Sequence, residues 1–125
     1  MIALGIFGDA VTEHFAAGHI IFREGDPVDG FMYVVATGEL NVVVGSQVVE
    51  TTGPGSIVGE MALIDGRPRS ATVIAKTDCD LAAIDKPRFE TLVQKHPYFP
   101  LVVMRIMADR LRKADELISR QEPSN

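Results

Sequence analysis

The sequence predicts a mainly β fold, an antiparallel β-roll of the jelly-roll kind with helices behind it. Glycine and proline recur at short intervals through the front of the chain, and the runs between them are dense in β-branched and aromatic residues. Helix signals replace this pattern after Ile84. Several short strands joined by turn residues are typical of an all-β sandwich or roll.

Six runs are predicted to be strands, each bounded by turn residues. They are Ile20–Phe22, Phe31–Ala36, Leu40–Val44, Gln47–Thr51, Ala71–Ala75 and Cys79–Ile84. Only Gly45 and Ser46 separate the third run from the fourth, which predicts a two-residue hairpin, because glycine readily adopts the positive φ that such a turn needs.

Two helices are predicted after the strands. Asp85 is placed to cap the first, Pro87 lies in its first turn, and His96 ends it, because a residue before proline is pushed away from helical geometry. The second helix runs from about Tyr98 to Gln121. Apolar residues recur along it at spacings of 3 and 4: Met104, Met107, Leu111, Ala114 and Ile118. This pattern fits either a coiled-coil dimer or a face packed on the core.

Length and charge limit the classes of function. A chain of 125 residues fits one domain, with the roll at about 12–85 and the C-terminal helices at about 86–121. The formal net charge of -5 argues against binding nucleic acid or an anionic membrane. The single cysteine, Cys79, forms no internal disulfide and suits a reducing cytoplasm, where we expect the protein to reside. No apolar run approaches the length of a membrane span.

One segment departs from the strand pattern and carries the candidate binding residues. Helix-forming residues follow Gly59 where two strands should be joined by a hairpin. The N–H groups at the start of a helix bind phosphate readily, and glycine lets a ligand approach the backbone. Arg69 can donate two parallel hydrogen bonds to phosphate oxygens. Glu60 would repel a phosphate unless it accepted a hydrogen bond from the same ligand, for example from a ribose 2′-hydroxyl. The segment therefore predicts a nucleotide ligand.

The segment Gly59–Val73 resembles the phosphate-binding cassette of cyclic nucleotide-binding domains, the family of catabolite-activator-type regulators, kinase regulatory subunits and cyclic-nucleotide-gated channels. The likeness continues over Ala17–Asp26, Met32–Leu40 and Ala75–Cys79. The resemblance implies an eight-stranded roll with a short N-terminal helix, a short helix in the cassette and two C-terminal helices. It implies cAMP as the favoured ligand, with cGMP as the alternative.

The resemblance also implies a role for each matching residue. The ligand-binding residues are Gly59, Glu60, Met61, Ala62, Arg69 and Ser70. Arg69 balances the phosphate charge, Ser70 donates a further hydrogen bond, Glu60 binds the ribose 2′-hydroxyl, and main-chain N–H groups bind the phosphate. Serine instead of threonine at position 70 favours cAMP. Relatives carry Thr-Ser on the helix that covers the base, whereas this chain has Ala114 and Asp115, so Asp115 is the candidate lid contact.

The sequence predicts no catalysis and no metal or cofactor. Its serines lack a histidine and an acid in a familiar order, and its three histidines have no partner at metal-ligand spacing. We expect a regulatory domain that binds a cyclic nucleotide and moves its C-terminal helix, without binding nucleic acid by itself. A homodimer through that helix is a candidate assembly. Two alternatives remain: a dimerisation or docking module without nucleotide binding, and a sensor of a different small effector.

Overall fold

The computed structural model describes residues 11–27 and 29–121, with side chains described as far as Glu116. Within these residues the chain forms eight strands and three helices. In chain order they are β1 (Thr12–Phe15), β2 (Ile20–Phe22), β3 (Phe31–Thr37), β4 (Leu40–Val44), β5 (Gln47–Thr52), β6 (Ile57–Val58), α1 (Glu60–Asp65), β7 (Thr72–Ala75), β8 (Cys79–Asp85), α2 (Lys86–Lys95) and α3 (Phe99–Gln121).

The strands form two four-stranded antiparallel sheets. The first has the strand order β1-β8-β3-β6 and the second has the order β2-β7-β4-β5. All six predicted strands are confirmed to within one residue at each end. The strand expected to end near Val58 is confirmed as β6, whereas β1 was not predicted. The antiparallel β-roll with trailing helices is therefore confirmed.

Both faces of the first sheet are covered. On β3, Met32 and Val34 belong to a cluster that also includes Phe99 of α3, whereas Val35 belongs to a second cluster shared with Leu40 and other residues of the second sheet. Successive side chains of a strand point to opposite faces, so the adjacent buried residues Val34 and Val35 face the helices and the other sheet respectively. The β-roll therefore has one core between its sheets and another beneath the C-terminal helices.

The predicted hairpin and helix boundaries are confirmed. Val44 pairs with Gln47, and Gly45 has a φ of 61° in the two-residue turn between them. The carboxylate of Asp85 accepts a hydrogen bond from the backbone N–H of Arg88 at 2.9 Å, and α2 ends before His96. None of the helices within the described residues is both long and apolar enough to span a membrane.

The apolar series along α3 is only partly buried against the core. Met107 is half-buried against the core, whereas Met104 and Leu111 are 57% and 65% exposed. The side chain of Ile118 is outside the described set. The predicted short N-terminal helix falls mainly on residues 1–10, which are not described, and residues 12–15 are a strand.

Candidate functional site

The residue that precedes the short helix α1, Gly59, has a backbone conformation that favours glycine. Gly59 has a φ of 81°, in the left-handed region that L side chains rarely adopt. A Cβ at this position would lie 2.5 Å from Nη1 of Arg69 and 3.3 Å from Cε2 of Phe22. Ala62 and Leu63 are buried and anchor the helix, whereas Met61 is exposed. The start of α1 is thus packed directly against the guanidinium of Arg69.

The Arg69 side chain is buried and held by three hydrogen bonds. Nη2 donates to Oδ1 of Asp29 at 2.6 Å and to the carbonyl of Phe31 at 2.8 Å, and Nη1 donates to the carbonyl of Gly59 at 3.1 Å. The guanidinium also lies over the ring of Phe22, 4.1 Å from its centroid. Three hydrogen bonds occupy three of the five N–H groups of a guanidinium. Its position therefore leaves donors to offer an anion at the start of α1.

A second, largely buried ion pair joins Glu60 to the C-terminal helix. Nη1 of Arg110 donates to Oε1 of Glu60 at 2.7 Å, and the two side chains are 21% and 5% exposed. Nε of Arg110 donates to both carboxylate oxygens of Glu50, at 3.0 and 3.3 Å. Nη2 also donates to the carbonyl of Ile57 and lies 3.4 Å from Oγ of Ser56. One guanidinium thus connects α3 to β5, β6 and α1.

Two neighbouring cavities contain these groups. The smaller cavity, of about 100 Å³, lies at the start of α1, and the charged side chains of Glu60, Arg69 and Arg110 are among those that line it. The larger, of about 440 Å³, has mainly apolar walls from β4, β5 and Met61, and Lys113 and Ala114 of α3 also line it. Met61 and Arg110 line both cavities. A small compartment that carries charged side chains, beside a larger apolar one, is suited to a ligand with a charged end and a flat apolar end.

The structure brings the predicted ligand-binding residues together. All six, Gly59, Glu60, Met61, Ala62, Arg69 and Ser70, line the smaller cavity. Asp115 is exposed, and its neighbour Ala114, rather than Asp115 itself, lines the larger cavity.

Sequence reasoning missed four residues that shape the site: Phe22, Asp29, Glu50 and Arg110. The signal for Arg110 was available, because it precedes Ala114 by one helical turn and so shares the face already expected to cover the ligand. Asp29 and Glu50 contact their arginine partners across 40 and 60 residues of sequence, and no local pattern predicts such pairs.

Burial and neighbouring charges raise the pKa values of two side chains in the first sheet. Burial, followed by the negative charge of Asp29, raises the pKa of Tyr33, although Arg69 opposes this. Its phenol is therefore neutral near pH 7 and packs beside Phe22, with ring centroids 6.3 Å apart. Burial also raises the pKa of Cys79, so this thiol is protonated and behaves as a small apolar side chain, as the sequence predicted.

A comparison with models of protein families identifies the family of the chain. The family model described as "Cyclic nucleotide-binding domain" matches residues 12–96, well over half of the chain. The chain belongs to this family. The match includes both sheets and the phosphate-binding cassette, so the resemblance noted from the motifs is confirmed.

Individual members of the cyclic nucleotide-binding family are similar to this chain over part of their lengths. A cAMP-dependent protein kinase regulatory subunit of Eremothecium gossypii is 41% identical over 76 residues, which cover 61% of this chain and 16% of that protein. The global regulator CLP of Xanthomonas campestris, described as c-di-GMP responsive, is 26% identical with a TM-score of 0.79, over 94% of this chain and 62% of that one. The Thermus thermophilus catabolite activator protein is 28% identical with a TM-score of 0.76, over 91% and 55%. This chain thus spans less than two thirds of each of the three.

Proposed function

We propose that this domain binds a cyclic mononucleotide, with cAMP as the preferred ligand, and that α3 transmits occupancy of the site. The observation that carries the proposal is the clustering of Arg69, Glu60 and the start of α1 around one cavity that adjoins an apolar cavity. The role is regulatory rather than catalytic.

The phosphate is proposed to bind between Arg69 and the first N–H groups of α1. No side chain among those described caps these N–H groups, and the helix dipole favours an anion there. Asp29 pairs with Arg69, and its half-exposed carboxylate holds Nη2, so other N–H groups of the guanidinium are proposed to bind the phosphate. Ser70, at the rim of the same cavity, supplies the further hydrogen bond.

The ribose 2′-hydroxyl is proposed to donate to Glu60. The structure uses Oε1 of this carboxylate for Arg110, and a ligand hydroxyl can donate to Oε2. Only 5% of the Glu60 side chain is exposed and Glu60 lines the cavity, which supports a role in binding the ligand. A carboxylate accepts hydrogen bonds at both oxygens, so the ribose and Arg110 can bind it together.

The base is proposed to occupy the larger, apolar cavity. Val42 and Val49 contribute apolar wall to this cavity, and Lys113 and Ala114 of α3 also line it. A preference for cAMP is supported by Ser70 and by the similarity to a cAMP-dependent kinase subunit. Asp115 remains the proposed lid contact, one residue beyond the cavity lining, and reaches the adenine amino group only if α3 moves inward.

The proposed signal passes through the Glu60–Arg110 pair. A ligand can shift α3 only by as much as it favours one position of the helix over another. Arg110 holds Oε1 of Glu60 and is proposed to keep Oε2 in position for the ribose, so by reciprocity binding of the ribose should stabilise docking of Arg110. Hydrogen exchange along α3 should slow in saturating cAMP, and unchanged exchange would contradict transmission through this helix.

Calorimetric titration with cAMP and cGMP tests binding. The wild-type chain should bind cAMP saturably and more tightly than cGMP. Arg69→Ala removes the main counter-charge of the phosphate and should weaken the binding of cAMP by about 2–5 kcal/mol. This corresponds to a loss of affinity of about tens- to thousands-fold. Arg67→Ala, an exposed arginine two residues away, is the matched control and should bind like the wild type. Equal affinities for the Arg69 and Arg67 variants would refute the assignment.

The exposed apolar side chains of α3 favour self-association as a second property. Leu101, Met104 and Leu111 are 43%, 57% and 65% exposed, and their spacings of 3 and 7 place them on one face of the helix. We propose that this face pairs with its copy in a homodimer. Analytical ultracentrifugation should report a dimer that Leu111→Glu dissociates, whereas a wild-type monomer at high concentration would exclude it.

A further inference from the structure

Glu50 is a second carboxylate bound to the guanidinium that binds Glu60. Its two oxygens lie 3.0 and 3.3 Å from Nε of Arg110, and its side chain is only 13% exposed. Glu50 belongs to β5, whereas Glu60 begins α1. The two acidic residues are therefore linked by one cation that comes from a third element, α3.

The contacts of Arg110 fix the direction in which its guanidinium points. Nε is held by Glu50 and Nη2 by the carbonyl of Ile57, and the remaining terminal nitrogen, Nη1, meets Oε1 of Glu60 at 2.7 Å. A guanidinium is planar and its donors form a rigid fork. Fixing two of its nitrogens therefore determines where the third one points.

We propose that Glu50 is a positioning residue for recognition of the ligand's 2′-hydroxyl. By holding Nε of Arg110, Glu50 aims Nη1 at Oε1 of Glu60 and so keeps Oε2 of Glu60 oriented to accept that hydroxyl. This inference rests on the proposed function, because it concerns how the same site reads a ribose.

The hydrogen bonds that hold Arg69 do not involve Glu50. They go to Asp29 and to the carbonyls of Phe31 and Gly59, and within the described residues no hydrogen bond joins these groups to Arg110. Loss of Glu50 is therefore expected to weaken recognition of the hydroxyl specifically. Removing a negative charge also alters the affinity for any anion, but this effect is the same for two ligands of equal charge and cancels in the ratio of their affinities.

The experiment is a pair of titrations on each of four proteins, with cAMP and with 2′-deoxy-cAMP. A hydrogen bond to a charged group predicts that the wild type prefers cAMP over its 2′-deoxy analogue by about tenfold or more. Glu50→Gln, whose amide cannot accept at both terminal atoms, should reduce this preference to about threefold or less. Glu39→Gln, the same substitution at an exposed turn residue, is the matched control and should keep the wild-type preference.

Arg110→Lys provides a second variant if Glu50→Gln does not fold. A lysine ammonium keeps the charge but cannot hold Glu50, the Ile57 carbonyl and Glu60 in the same planar arrangement, so the preference should fall here too. A preference that stays at the wild-type value in either folded variant would overturn the inference while leaving the proposed function intact. A wild type that binds neither ligand would instead overturn the proposed function itself.

Discussion

Loss of Arg110 should destabilise the folded protein, because Arg110 pairs with two largely buried carboxylates. Arg110→Met removes the cation between Glu60 and Glu50, whose side chains are 5% and 13% exposed. Removing one partner of a buried ion pair costs about 3–5 kcal/mol, because the other charge stays desolvated. Arg110 itself is 21% exposed, so water reaches the site in part, and we expect the free energy of unfolding to fall by about 2–4 kcal/mol.

Urea unfolding monitored by circular dichroism measures this change. For a chain of this size the expected loss corresponds to a decrease of about 1–2 M in the urea midpoint. Arg105→Met is the matched control, since Arg105 lies on the exposed face of the same helix, and its midpoint should stay close to the wild-type value. Hydrogen exchange should locate the change in α3 and in the β5–β6 region that Arg110 joins to it.

A neutralised triple variant separates the charge effect from lost packing. With Glu50→Gln and Glu60→Gln added to Arg110→Met, no carboxylate remains to be stranded, and most of the lost stability should return. A decrease below about 1 kcal/mol for Arg110→Met, or no recovery in the triple variant, would refute the reasoning that two buried carboxylates depend on this one cation.

Three further predictions concern the cassette, the sugar and a surface carboxylate. Gly59→Ala places a Cβ 2.5 Å from Nη1 of Arg69, so calorimetry should show at least about tenfold weaker binding of cAMP. Gly45→Ala is the control: it is also at positive φ and should be strained, but nothing lies within 4 Å of its Cβ, so cAMP binding should not change. Equal losses of affinity in both variants would contradict the close approach of Gly59 to Arg69. Glu60→Gln should lower the affinity for cyclic nucleotides and leave the affinity for inorganic phosphate unchanged. Equal losses of affinity for both ligands in calorimetric titrations would show that Glu60 does not bind the sugar. Hydrogen bonds from His14 and Thr37 lower the pKa of Asp80 in the folded state, so its stabilising effect is present above the unfolded pKa and is lost as pH falls through the folded one. Urea midpoints of the wild type and Asp80→Asn should therefore converge below about pH 4, and a difference that stays constant down to about pH 2 would contradict this.

The elements that the sequence predicted well are those set by local pattern. The strand pair β4 and β5 is defined by a glycine that needs positive φ, and α2 by the capping carboxylate of Asp85 and by His96 before a proline. In contrast, β1 is mostly exposed and polar, and β6 is only two residues long, so neither shows the alternation that predicts a strand. Their pairing with β8 and β3 depends on long-range contacts.

The candidate site was predictable where one continuous segment carries it. Gly59, Glu60 and Arg69 lie within a single stretch, and the geometry brings them to one cavity. The partners that fix these side chains come from distant parts of the chain, as with Arg110, which reaches Glu60 across 50 residues. A heptad count on α3 could not reveal this contact, because it registers apolar residues and ignores which charged side chain faces the roll.

In the proposed complex, Arg69 and the start of α1 bind a ring phosphate while Glu60 binds the attached sugar. A crystal structure of the chain grown with cAMP tests this most directly. We predict that the phosphate oxygens lie within hydrogen-bond distance of Arg69 and of N–H groups between Gly59 and Ala62, with the 2′-hydroxyl on Glu60. Density elsewhere, or an empty cavity at full saturation with Arg69 bound only to Asp29, Phe31 and Gly59, would contradict the account.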